Sequence, residues 1–278
     1  MMIKGGIRIG GLGISGYDAD AVAYFERAGV TDGTAKGQIN AFVKGIKDLG
    51  LYNSMACWPL RSSQNAGTGT TAYSLGGLGI YNGTLVNGPS WTTDGIDHTA
   101  SSFQTTTFPI SLVDYGATGF SLYFAGKPKT GTQAFSMIFG QEGVTASNLC
   151  GMIRLGSATS DVQLNVNYTG GAVALSISSN TVNSFNSFGA TVSPSSVGLV
   201  VNSSTSFTTP SGTYNALSEL NDVLKTASRS SIGTNVGKQF ADLISSFGLF
   251  TTSTLNASQH ASLISLYKTT LGTGLGLP

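Results

Sequence analysis

The chain has 278 residues, enough for one large β domain with a small appendage. Charged residues make up 10% of it, against about a quarter in an average domain, while 40% are hydrophobic and 38 residues are glycine. A net charge of +1 removes the electrostatic case for a nucleic-acid partner or an anionic membrane surface, and no apolar run approaches the ~20 residues of a membrane span.

Residues 1–17 form a Gly-rich arm in which Ile3, Ile7, Ile9, Leu12 and Ile14 are separated by glycines or polar residues. Glycine is too frequent there for a helix, so an extended strand is expected. Such an arm cannot bury its own aliphatic side chains. These five are the candidate assembly residues, to be covered by the same domain or by a neighbouring subunit, with a frayed terminus as the alternative, and they favour a homo-oligomer. The arm has no continuous apolar core and does not read as a signal peptide.

Residues 18–50 predict a helical hairpin. Asp18 or Asp20 caps a first helix to about Ala28, Gly29 ends it, and Asp32-Gly33 makes the turn. A second helix over 34–49 carries Ile39, Phe42, Val43, Ile46 and Leu49 on one stripe, with Gly50 just past its end. A two-helix unit this small needs a partner surface, either the β domain or an oligomer interface.

From Leu51 the period changes. Residues 55–60 read as a strand and 65–71 as a loop. Asn82-Gly83 and Asn87-Gly88 are turn dipeptides around the short extended piece Thr84-Leu85-Val86. Further strands are predicted over 103–108, 120–125, 135–139, 152–155, 162–166, 173–177, 197–201 and 243–250, at a spacing that suits a β-sandwich. Residues 178–196 and 202–214 predict polar loops. Over 215–227 the leucine spacing favours a short inserted helix, with a strand pair as the alternative. Asn256 or Ser258 caps a final helix over 257–270, stopped by Gly272.

Chemistry is sparse. A glycosidase needs paired carboxylates. The glutamates Glu26, Glu142 and Glu219 have no acidic neighbour at i+2 or i+4, and His98 and His260 read as structural. Gly76-Gly77-Leu78-Gly79 lacks the Lys and Ser/Thr of a phosphate loop. The expectation is therefore no enzyme, no catalytic residues and no cofactor. Cys57 and Cys150 lack metal spacing and read as small buried hydrophobes, with one disulfide left open. Sequons at Asn82, Asn167, Asn202 and Asn256 read as chance in so Asn- and Ser-rich a chain.

Two separated stretches carry a family resemblance. The first is Gly79-Ile80-Tyr81-Asn82-Gly83-Thr84-Leu85-Val86-Asn87-Gly88-Pro89-Ser90-Trp91, followed by Asp94-Gly95-Ile96. The second is residues 240–250, followed by Thr254-Leu255-Asn256-Ala257-Ser258-Gln259-His260 and a helix ending at Tyr267. Together they resemble laminin-G-like, concanavalin-A-like jelly-roll domains. The front, with Asp18-Ala19-Asp20-Ala21, Ala28-Gly29-Val30-Thr31-Asp32, Ile39-Asn40 and Leu49-Gly50-Leu51-Tyr52, resembles the helical leader of tailed-phage virion proteins, which precedes such a domain.

The resemblance implies a mainly β, concanavalin-A-like jelly-roll sandwich over 51–278 with a C-terminal helix, behind the arm and the helical hairpin. It implies a virion structural protein on the particle surface, as head decoration, fibre or tail component, docking on other virion proteins through arm and helices. Trimers suit such appendages. A lectin-like adhesin for host glycan is the alternative, with Tyr81, Trp91 and Tyr115, and also Tyr168, as sugar-stacking candidates. Laminin-G-like domains often hold calcium, for which Asp94, Asp97, Asp114 and Asp161 are candidates without forming a dense acidic loop. In the closing strand Ala241-Asp242 and Ser246 replace the glycine and acidic residue of the family pattern, which weakens any inherited ligand role there.

Overall fold

The computed structural model describes residues 16–130, 136–142, 149–155, 161–214, 223–227 and 242–278. The candidate assembly residues Ile3, Ile7, Ile9, Leu12 and Ile14 lie outside them. Helices α1 (Ala19–Ala28) and α2 (Gly33–Asp48) come first. The strands follow as β1 (Met55–Pro59), β2 (Thr71–Ala72), β3 (Gly83–Val86), β4 (Ser90–Trp91), β5 (Ile96–His98), β6 (Thr105–Phe108), β7 (Phe120–Pro128) and β8 (Met137–Glu142). Then come β9 (Leu149–Leu155), β10 (Val162–Tyr168), β11 (Gly171–Ile177), β12 (Asn186–Val192), β13 (Val197–Val201), β14 (Ser204–Thr208), β15 (Leu224–Thr226) and β16 (Leu243–Thr251), before α3 (Ala257–Thr269).

They form a jelly-roll-like β-sandwich. One sheet runs β14-β13-β12-β7-β16-β5-β4, with β1 also paired to β16; the other runs β11-β10-β9-β8-β15-β6-β3-β2. The pairings are antiparallel, and the late strand β16 lies between the early strands β7 and β5.

The first sheet is buried on both faces. Strand alternation sends Phe120, Leu122 and Phe124 into the core between the sheets, and Tyr123 and Ala125 to the opposite side. That opposite side is covered by the helices. Ile39, Phe42, Val43 and Ile46 of α2, with Tyr24 and Phe25 of α1 and Leu263 and Tyr267 of α3, close on Cys57, Phe247 and Leu249. The Phe42 and Phe247 rings meet edge-on at 5.5 Å. Of the two homes open to the hairpin, the β domain is the one it occupies. Gly45 lets α2 approach α3, since a Cβ there would sit 2.3 Å from a Leu266 methyl.

Strand β16 changes face part-way. Leu243 and Phe250 point into the sandwich, while Phe247 and Leu249 point to the helices. A bulge between Ser245 and Phe247 inserts the extra residue that shifts the alternation.

The helix signals are realised closely. Asp18 caps α1 (Asp20 N–H to Asp18 Oδ1, 3.0 Å), Asp32 caps α2 (Ala35 N–H to Asp32 Oδ1, 2.7 Å), and Asn256 with Gln259 forms a capping box on α3. Four stretches differ from the expected strands and loops. β12 runs through the predicted loop 178–196, and every one of its residues is buried. Its sequence Asn-Ser-Phe-Gly-Ala-Thr-Val looks like a loop, yet small residues are what a strand beneath a closely packed helix requires. A Cβ on Gly189 would sit 2.6 Å from Nδ1 of His260 on α3. Edge strand β14 occupies the second predicted loop. The described end of the helix favoured over 215–227 is strand β15, inserted between β6 and β8. Phe103, read as a strand start, is instead 61% exposed with a left-handed backbone.

Both histidines are buried structural links. Nδ1–H of His98 donates to Leu243 O (3.2 Å), so Nε2 accepts from the Thr106 hydroxyl (3.0 Å); Ser245 and Thr226 extend the network. Nε2–H of His260 donates to Thr191 Oγ1 (2.9 Å), whose own proton goes to Leu255 O. Burial pulls each imidazole from 6.5 down to about 4, so both are neutral in the folded protein. The unfolded chain takes up these protons near 6.5 and the folded one only near 4. The stability from neutral burial is therefore complete above 6.5 and is lost as pH falls through 4. The expected loss is on the order of 3 kcal/mol per histidine. Urea midpoints measured from pH 7.5 to 4 should fall across this window, and a His98→Gln/His260→Gln variant should show a flatter profile.

Candidate functional site

A cleft of about 350 Å³ opens between α1, the turn before β1 and the loop over 75–80. Asp20, Ala23 and Arg27 line it from α1, spaced i, i+3, i+7 along one stripe of that helix. Tyr52 and Asn53, from the single 3₁₀ turn between α2 and β1, form the next wall. Gly76, Gly77, Gly79 and Ile80 face them. A second hollow of about 340 Å³, lined by Asp20, Lys47, Gly50, Tyr52 and Asn53, adjoins it through the shared residues.

The glycines are there for close packing. A Cβ on Gly76 would lie 2.2 Å from Met55 O, at φ +131°, and one on Gly77 would lie 2.9 Å from Asn53 Oδ1. Gly77 N–H donates to Tyr52 O (2.8 Å) and Leu78 N–H to Met55 O (3.1 Å), which ties this loop to β1 and the turn before it.

Charge is distributed unevenly. Lys47 Nζ pairs with Asp18 (2.7 Å) and Asp20 (2.6 Å) and sits 4.9 Å from the Tyr52 ring centre. The Lys47 hydrogen bond holds the Asp18 carboxyl below its ordinary value. Burial, reinforced by Asp20, pushes the Tyr52 phenol up to about 12, so it keeps its proton. Arg27 is different. Its Nη2 donates to Ser74 O (2.6 Å) and its guanidinium lies 5.7 Å from the Tyr24 ring, yet Nε is buried without a hydrogen-bond partner. Among the described residues the ion pairs involve Lys47 and Lys129, and Arg27 has no carboxylate partner.

The sugar-stacking candidates are placed as follows. Tyr81 and Tyr115 come together: burial first, then the Tyr81 hydroxyl against it, raises the Tyr115 phenol. Both rings are half-buried against the inter-sheet core, and Tyr115 packs 4.8 Å from Phe250. Trp91 lies on edge strand β4, its indole N–H donating to Gly69 O (3.0 Å). Tyr168 is 3% exposed, with its hydroxyl donating to Ser193 O, which removes it as a stacking surface. Asp97 pairs with Lys129 (2.6 Å) and Asp161 accepts from Ser178. Among the described residues no group of three His, Cys, Asp or Glu side chains converges. Cys57 is a free thiol buried under the helices, and burial pushes it well up from its ordinary value. Arg27, Tyr52 and Asn53 were not signalled by the sequence. Arg27 lies on a charged stripe of α1 and the other two in a short turn, whereas helix faces are found in sequence by their apolar residues.

Neither a family model nor a curated protein matches the sequence. Solved structures do match in fold. Trypanosoma rangeli sialidase in complex with 2,3-difluorosialic acid superposes with a TM-score of 0.58 at 10% identity, over 86% of this chain and 39% of that one. The same sialidase with sialic acid gives 0.53 at 11% identity, over 85% and 40%. The botulinum neurotoxin serotype D binding domain gives 0.51 at 9% identity, over 78% and 53%. The chain therefore spans about two fifths of the sialidases and about half of the toxin domain.

These neighbours correct the expectation that the chain is not an enzyme. The fold it shares occurs within sialidases, so architecture supplies no argument against activity. At about a tenth identity the likeness reaches the fold and no single residue.

Gly76→Ala should destabilise the protein by more than ~1 kcal/mol, because the added methyl meets backbone and the left-handed φ strains it. Gly79→Ala meets only the Tyr81 ring edge, at 2.9 Å. Thermal melts of the two variants should rank Gly76→Ala lower.

Proposed function

We propose that this chain is a virion surface protein whose jelly roll binds a glycan of the host surface. The observation that carries the binding part is the cleft beside Arg27, Tyr52 and Asn53. It joins an aromatic wall, an amide, a guanidinium with no carboxylate partner among the described residues and the 69%-exposed Ile80 at one opening. Recognition sites for small polar ligands combine apolar surface with a few convergent polar groups in this way. Two of the fold neighbours add support in kind: a sialidase solved with sialic acid, and a receptor binding domain of botulinum neurotoxin. The virion setting rests on the resemblance of residues 18–52 to the helical leader of tailed-phage proteins.

The helices spend their apolar stripes on the sheet. Docking to other virion proteins, and assembly as a homo-oligomer, are therefore assigned to residues 1–15 and to the polar outer helix faces. Purified virions analysed by mass spectrometry should contain the chain in many copies. On an array of bacterial surface polysaccharides the full chain should bind saturably. Tyr52→Ala should weaken that binding about tenfold, equivalent to ~1.4 kcal/mol, with the thermal midpoint nearly unchanged. Absence of binding at high protein concentration would refute the glycan reading.

A further inference from the structure

We infer that the cleft selects an acidic sugar, with the Arg27 guanidinium receiving the sugar's carboxylate. The inference rests on the glycan-binding reading above and names the ligand class of the same site.

Arg27 sits at the last turn of α1, and no Asp or Glu among the described residues pairs with it. Its guanidinium is nevertheless held in place. One nitrogen is fixed to Ser74 O and the group lies over the Tyr24 ring, which is itself anchored by its hydroxyl to Gln64 O (2.9 Å). An arginine held this way loses little side-chain entropy on binding, and its planar fork suits a carboxylate. Its Nε is buried without an acceptor, so a ligand in the cleft is met by the guanidinium's other nitrogens.

At the opposite end of the cleft Asp18 and Asp20 share Lys47, so that end keeps one net negative charge. Asp20 and Arg27 are seven residues apart on α1, about 10 Å along the helix. The cation that faces a ligand is therefore local to the Arg27 end, and the carboxylate is placed there. A volume of about 350 Å³ lies at the small end of ligand sites, of a size for one or two sugar units rather than a long chain. Beside Arg27 the walls offer a protonated phenol at Tyr52, the Asn53 amide and an apolar rim at Ile80. Hydroxyls of a sugar ring match the first two, and its C–H face matches the third.

The test uses the full chain and ligand-observed NMR with four oligosaccharide probes, ending in a hexuronic acid, a sialic acid, a sulfated hexose and a neutral hexose. The expected result is binding of the carboxylate-bearing probes, weakened at least tenfold by Arg27→Gln and partly retained by Arg27→Lys, with affinity falling as salt rises. Circular dichroism checks that both variants are folded. If Arg27→Gln unfolds, Arg27→Lys and competition by free glucuronate carry the same test. Acidic probes bound equally by wild type and Arg27→Gln overturn the inference, as do neutral probes bound in preference to acidic ones. Equal binding of the sulfated probe overturns the choice of carboxylate. In these three cases glycan binding itself stands; binding of none of the probes removes both.

Discussion

The structure depends on one sheet having two apolar faces. Strands β1, β7 and β16 send apolar side chains both into the sandwich and to the far side, while β12 and β13 give Phe188, Val192 and Leu199 to the sandwich and mostly small residues to the far side, with Val200 among them. An antiparallel sheet commonly leaves one face to water; this one does not. The helices therefore form a required third layer, and Phe42, Phe247, Tyr123 and Tyr267 are the aromatic contacts that fasten it. Exposing such a face would leave apolar surface well beyond the few hundred Å² that soluble proteins ordinarily show.

Several local features follow from that layer. The bulge at Ser246 lets one strand serve both cores, giving Leu243 and Phe250 to one and Phe247 and Leu249 to the other. Small residues appear where helix and sheet approach closely, as at Gly189 beneath His260 and Gly45 beside Leu266. Ser121, Thr191 and His260 link β7, β12 and α3 in one chain of hydrogen bonds there. The cleft is a further product of the same layering. One wall is a polar stripe of α1, and its far wall is the loop that β1 holds through Leu75 and Leu78.

That origin separates the cleft from the aromatic residues that composition brings forward. Tyr81, Tyr115 and Trp91 are occupied at the rim of the inter-sheet core, with their polar ends engaged. Arg27 and Tyr52 are less conspicuous in sequence but stand where the surface is concave. The fold neighbours share the sandwich at about a tenth identity, so the surface chemistry of this cleft belongs to this chain.

Local signals were determined by the sequence itself. Caps at Asp18, Asp32 and Asn256, the α2 stripe and the Asn-Gly turns are short-range effects, and nearby residues suffice to specify them. The apolar runs at 120–125 and 243–250 likewise announced central strands. Tertiary structure alone decided the rest. β12 is a strand because its small residues fit between β13, β7 and α3, a fact about neighbours far away in the chain. β15 is a strand because β6 and β8 flank it. Arg27, Tyr52 and Gly76 form one site because β1 brings the turn before it against the loop at 75–80. Such a juxtaposition leaves no periodicity in the sequence, since it depends on the path of the backbone through space.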